Sequence, residues 1–227
     1  MKKLKFLLAM LLFVAFYGVS EVSALEINLF DWAFNIDGTL YEASNSDPLP
    51  GNINASGFDL LSGLGTITIT SAGAGSHSVI AFFDHEIDET INTFYNEYGS
   101  VNGTPAAGQS WEIDEPGYVF GNIYDNFTVG ALDNSNGVPS SAPEDVSMAL
   151  GWNFILGAGE TAYLNLLLST NAPTSGFYLV QTDPDSQASL YFSSTLDIKS
   201  SSVPEPGLLF LLATGLAGLF GFRRFQL

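Results

Sequence analysis

The sequence predicts an all-β fold: an antiparallel β-sandwich of about ten strands, with one short helix or irregular insert. Three observations predict it. Apolar side chains recur at every second position through the middle of the chain, which is the period of a strand with one buried face. Turn signals separate these runs: Asp37-Gly38, Pro50-Gly51, Asn102-Gly103, Pro116-Gly117, Asn136-Gly137 and Asp183-Pro184-Asp185. Residues 25–203 also carry 22 of the 30 aromatic side chains, including all three Trp. That is ample apolar area for a core, and it sets aside the disorder that so acidic a chain would otherwise imply.

The clearest alternation is Val146, Met148, Leu150, Trp152, Phe154 and Leu156. Ala162, Leu164, Leu166 and Leu168 follow, then Leu190, Phe192, Ser194, Leu196 and Ile198. Ile67 and Ile69 alternate with threonines. Further strands are predicted at residues 26–34, 39–42, 79–83, 118–129 and 176–181, all rich in β-branched or aromatic side chains. One segment breaks the period. Ile87, Ile91, Phe94, Tyr95 and Tyr98 fall at helical spacing, with Asp84 or Asp88 placed to cap the start and Gly99 to end it. A short helix or irregular loop is expected there. The stretch 134–145 is rich in Ser, Pro and Asn and reads as an exposed loop. No boundary divides residues 25–198, which are read as one domain.

The two ends are expected to lie outside that fold. Residues 1–24 read as a signal peptide: Lys2, Lys3 and Lys5 form a basic start, an apolar run follows, and Val22-Ser23-Ala24 sets small residues for signal peptidase cleavage after Ala24. Residues 207–222 hold no charge and only Thr214 as a polar side chain. As a helix they span roughly 24 Å, within reach of a thinned bilayer. Arg223 and Arg224 follow, and positive charge stays cytoplasmic. So residues 25–206 are expected outside, with 223–227 as a cytoplasmic basic tail. Residues 199–206 form a linker, where Pro204 and Pro206 hold an extended strip with few backbone donors.

Val203-Pro204-Glu205-Pro206, an apolar helix and the terminal Arg223-Arg224, in that order, resemble the PEP-CTERM sorting signal. The resemblance covers about the last 25 residues. It implies an exosortase partner that recognises the tail and processes it near the motif. It also implies a producer that makes exopolysaccharide or biofilm, and a protein that is membrane-anchored before processing and at the cell surface or beyond it afterwards. In that reading Pro204, Glu205 and Pro206 are substrate features, not catalytic ones.

Residues 25–203 contain 22 carboxylates and one base, Lys199, a net charge of −21 against −18 for the whole chain. Such a surface excludes nucleic acid and anionic membrane as partners. With no cysteine, the exported part must rest on core packing or on bound ions. Ca²⁺ is the candidate ion, since it offsets carboxylate repulsion. Asp84, Glu86, Asp88 and Glu89, in Asp84-His85-Glu86-Ile87-Asp88-Glu89, are candidate ligands, against the plainer reading of a solvated turn. Zinc held by His85, Glu89 and a distant acid is a further possibility. Asp183 and Asp185 are a second candidate Ca²⁺ pair, against an ordinary Asp-Pro-Asp turn. Asp133-Asn134-Ser135-Asn136-Gly137 opens like an EF-hand loop with Glu144 at the distal position, but Pro139 and Pro143 lie inside it. Of the tryptophans, Trp152 and Trp32 read as core. Trp111, in an expected loop, is the candidate platform for a sugar ring.

Cysteine nucleophiles and a Gly-x-Ser-x-Gly elbow are absent. The chain is therefore expected not to be an enzyme but an adhesion or exopolysaccharide-associated module. A carboxylate-dependent glycoside hydrolase and a Ca²⁺-stabilised structural module are the alternatives. One consequence is simple to measure. After loss of residues 1–24, trypsin can cut only at Lys199, Arg223 and Arg224. Even the unfolded protein should yield one large peptide spanning 25–199 by mass spectrometry. Intact mass of the exported form should show both ends missing.

Overall fold

The computed structural model describes residues 25–89, 93–117 and 119–201, together with residue 212 and residues 214–216. The expected signal peptide, Val203 to Pro206, and Arg223-Arg224 lie outside the described residues. Of the expected 207–222 helix, residues 212 and 214–216 are described, and they are helical. No helix among the described residues is long and apolar enough to cross a membrane.

The regular structure of the described residues is almost wholly antiparallel β. Its eleven strands are β1 (Ile27–Ile36), β2 (Thr39–Glu42), β3 (Ile53–Asp59), β4 (Leu64–Ala72), β5 (Gly75–Ile87), β6 (Tyr98–Asn102), β7 (Gln109–Asp114), β8 (Ser147–Leu156), β9 (Glu160–Ser169), β10 (Tyr178–Thr182) and β11 (Ser189–Ser200). They form a five-stranded sheet, ordered β2-β1-β5-β8-β7, and a six-stranded sheet, ordered β3-β4-β9-β11-β10-β6.

Alternation places the core between the sheets. Val79, Ala81 and Phe83 of β5 and Met148, Leu150 and Trp152 of β8 enter it from one side. Ile67 and Ile69 of β4, Leu164, Leu166 and Leu168 of β9, and Leu190 and Phe192 of β11 enter it from the other. Each Val, Ile, Leu, Met or Phe side chain among them contributes roughly 1.5–3 kcal/mol on leaving water. Phe83 meets the edges of Phe34 and Phe192, with centroids 5.9 and 5.3 Å apart, a favoured aromatic geometry.

The five-stranded sheet is covered on its outer face as well. Ala33, Ile80, Phe82 and Ala149 point away from the other sheet and pack against Ile123, Phe127 and Leu132. Ile123 and Phe127 belong to a helix, α1 (Ile123–Val129). This corrects the strand expected at 118–129. Ile123 and Phe127 stand four residues apart, one turn of helix, and both are buried. Gly130 ends the helix at φ +76°, a left-handed cap that glycine adopts freely. Of the short helix or irregular loop expected around 87–98, the described residues take the irregular form. β5 continues to Ile87, Phe94–Asn96 is a single 3-10 turn, and Tyr98 begins β6.

Ser194, a polar residue in the alternation of β11, explains itself in the core. Its Oγ accepts the indole N–H of Trp152 at 2.9 Å and the amide of Gln109 at 3.1 Å, tying one sheet to the other. Replacing it strands a buried donor, a cost of about 1–3 kcal/mol. Ser194→Ala should lower stability by about that amount in urea unfolding, and by clearly less when made together with Trp152→Phe.

Candidate functional site

β5 carries its alternation past the apolar cover. After Ile80 and Phe82, the outward positions are Asp84 and Glu86, while His85 and Ile87 turn inward. Across the ladder, β1 contains a bulge: Leu29 pairs with His85 and Asp31 with Asp84, leaving Phe30 without a partner. A bulge re-aims the extra side chain, and Phe30 stands 65% exposed. These residues line a pocket of about 490 Å³, within the range of small-molecule sites. Six carboxylates line it: Asp84, Glu86, Glu89, Glu115, Glu144 and Asp145. The remaining wall is Phe30, Phe94, Tyr95, Pro116, Val119 and Phe120, of which Phe30, Tyr95, Val119 and Phe120 are more than half exposed.

The carboxylates differ in what holds them. Asp84 is fully buried and accepts the Ser147 hydroxyl at 2.8 Å. Glu86 is only 6% exposed, and its Oε2 has no hydrogen-bond partner. The same is true of Oδ1 of half-buried Asp145. Behind them Glu97 is wholly buried, held by the Ile87 N–H at 3.0 Å and by the Gln181 amide. Burial, then neighbouring carboxylates, pushes the Glu86 carboxyl up to about 7. Burial likewise raises Asp145 to about 6 and Glu97 to about 9, and it raises Asp84 well above the usual range. Glu115 is raised by burial and by Glu144 and Asp114.

Three of the four predicted ligands in the 84–89 stretch, Asp84, Glu86 and Glu89, therefore share one pocket. Asp88 does not. Its Oδ1 accepts the Glu26 N–H at 2.8 Å, closing the end of β5 onto the start of β1. Nor can His85 join Glu89 around zinc, because it is buried between the sheets with Nε2 3.2 Å from the Gly63 carbonyl. Burial lowers its pKa to about 4, so it is neutral. Gly63 must be glycine here: a Cβ would come within 2.1 Å of His85 Nε2. Asp183 and Asp185 lie outside the pocket lining. Asp183 is buried and accepts the Asp185 and Ser186 N–H groups, while Asp185 accepts the Asn96 amide. Among the described residues no three His, Asp or Glu side chains are grouped to hold a metal ion.

The EF-hand-like stretch is a stitched turn. Asn134 accepts the Trp111 N–H, and Asn136 donates to the Gly99 carbonyl. Trp111 itself corrects the loop expectation: it lies in β7, half-buried against the core, with its ring 6.0 Å from that of Phe177. Its side chain packs with the inter-sheet cluster and is not presented as an open platform. Sequence reasoning missed Glu115, Asp145 and the exposed aromatic rim, and met Glu144 only as the distal position of the EF-hand-like stretch. The adjacent acid pairs Asp114-Glu115 and Glu144-Asp145 were a further trace of them.

These shifts fix a pH dependence. In the folded state Glu86 keeps its proton up to about pH 7 and Glu97 up to about pH 9, whereas the unfolded chain, with ordinary carboxyls near 4.5, has lost both by about pH 6.5, which opens a window from there to about pH 9. His77, raised by the Gly73 carbonyl and Asp37, acts in the same direction. His85, with its lowered pKa, acts oppositely, but only below that window. The folded state binds more protons there, so stability falls as pH rises. Thermal melts should show Tm decreasing across this window. Glu86→Gln, neutral at every pH, should raise Tm at the alkaline end by about 2–4 °C.

No curated protein and no solved structure matches the chain. One family model does match, over residues 202–224, and its description is the PEP-CTERM protein-sorting motif. The chain thus ends in a PEP-CTERM sorting motif that contains Val203-Pro204-Glu205-Pro206 and runs to Arg224, the mark of an exported protein handed to an exosortase.

Proposed function

We propose that residues 25–198 form a single β-sandwich domain that works outside the cell as a non-catalytic module holding the producer's own exopolysaccharide. Signal peptidase removes residues 1–24, and an exosortase processes the tail near Pro204-Glu205-Pro206. The observation that carries the binding reading is the pocket at the β1 bulge. Exposed Phe30, Tyr95 and Phe120 offer faces for sugar rings beside a bank of carboxylate acceptors for hydroxyl groups. The sorting motif supports the location.

A second reading, an extracellular glycoside hydrolase, is favoured by one observation. Glu86 and Asp145 share the pocket, and burial raises both carboxyls above the usual range, as a general acid requires. Purified full-length chain should retain the producer's exopolysaccharide in pull-downs. Phe30→Ala combined with Phe120→Ala should weaken retention by about tenfold or more. Release of reducing ends, abolished by Glu86→Gln, would select the hydrolase instead. Failure to retain any glycan would remove the binding reading.

A further inference from the structure

We propose that the pocket recognises a cationic polysaccharide, one whose amino sugars carry free, protonated amines. The inference rests on the polysaccharide-binding reading above and adds the chemistry that the pocket selects.

Six carboxylates converge on one cavity, and no Lys or Arg occurs between Ala24 and Ile198 to neutralise them. No basic side chain of residues 25–198 is there to pair with them, so protons or a cationic ligand must offset their charge. The second observation is Glu86: it lines the cavity, is 94% removed from solvent, and its Oε2 lacks any hydrogen-bond partner. A buried acceptor left unmade is costly, and an ammonium group donating into it would offset that cost with a charge-assisted bond. Oδ1 of Asp145 is a second acceptor in the same condition.

The shape of the site distinguishes the kind of cation. A bare divalent ion needs several oxygens at about 2.3–2.6 Å, and the described carboxylates are not so grouped. A cavity of about 490 Å³ with Phe94, Tyr95 and Phe120 on its wall suits a larger cation with an apolar face. Aromatic faces attract cations directly. A protonated amino-sugar ring combines these demands: a C–H face for the aromatics, an ammonium for Glu86 and Asp145, and hydroxyl groups for the outer carboxylates. An ammonium must displace protons from the raised carboxyls of Glu86 and Asp145, so affinity for it falls as pH drops below about 7.

The test uses purified full-length chain near neutral pH and titration calorimetry. The probes are a fully de-N-acetylated glucosamine oligomer, its fully N-acetylated counterpart, an oligolysine of matched charge, and CaCl₂ alone. The proposal expects the free-amine oligomer to bind about tenfold or more tighter than the N-acetylated one, with affinity falling as salt rises. Glu86→Gln and Asp145→Asn should each weaken it by about tenfold. Both variants are close in shape to the native side chains, and a melting curve no lower than that of the parent verifies their fold. Equal binding of the two oligomers would overturn the amino-sugar assignment and leave the polysaccharide reading standing. Equal or tighter binding of oligolysine would overturn it in favour of a basic peptide. Saturable Ca²⁺ binding that blocks the oligomer would overturn it in favour of an ion site. No binding of either oligomer, together with no retention of exopolysaccharide, would overturn both readings.

Discussion

Burial of β5 on both faces is the constraint on which the rest of the structure depends. The strand lies at the centre of the five-stranded sheet, between β1 and β8. Its inward residues fill the inter-sheet core, so its outward residues must also be covered. α1 and the residues that follow it supply that cover over Ile80 and Phe82. A helix of seven residues is only about 10 Å long. Beyond its reach the outward positions become Asp84 and Glu86, and the residues that roof them, Glu115, Glu144 and Asp145, are acidic too. The pocket is thus the place where an apolar second layer gives way to an acidic one along a single strand.

The buried acids fall into two groups, and the difference separates structure from site. Glu112 is held by the Asn126 amide and the Asp133 N–H, and so anchors α1 to β7. Asp88 joins the two ends of neighbouring strands, and Asp183 caps its own turn. Each is matched with backbone or amide donors, which is how a folded chain accommodates a buried carboxylate. Glu86 and Asp145 each keep an oxygen that has no donor. A fold that satisfies so many of its acids but leaves these two open, in one cavity, has concentrated its unmet demand where a ligand can reach it.

Much of the fold was legible in the sequence, and the failures have physical causes. Strict alternation marked β8, β9 and β11 because one face of each strand is buried. Trp152 sits in the core as its place in that alternation required. β5 was read as ending at Phe83, because Asp84-His85-Glu86 looks like a solvated turn. The alternation in fact continues, with ionisable side chains kept in the strand by ladder pairing to β1 on one side and to β8 as far as Asp84 on the other. Residues 118–129 are rich in aromatic and β-branched side chains and so looked like a strand. Packing of Ile123 and Phe127 onto Phe82 overrode that propensity. Asp84, Glu86 and Glu89 were legible as a cluster through their closeness in sequence. Glu115, Glu144 and Asp145 reach the same cavity from distant segments, and no spacing in the chain announces such a meeting.

The same carboxylates link the protein's stability to its surroundings. Protons and cations compete for one set of oxygens, since each answers the same repulsion. An empty pocket at neutral or alkaline pH must either hold protons against the solution or bear unscreened charge in a half-buried cavity. A cation in the pocket removes that choice, and by mass action it stabilises the folded state more as its free concentration rises above Kd. With no disulfide to constrain the unfolded chain, packing and occupancy are the stabilising terms in view. The sorting motif sends this chain out of the cytoplasm, where the ionic environment sets occupancy. There the form engaged in a cation-bearing matrix would be the more durable one, and a free copy would be the first to unfold.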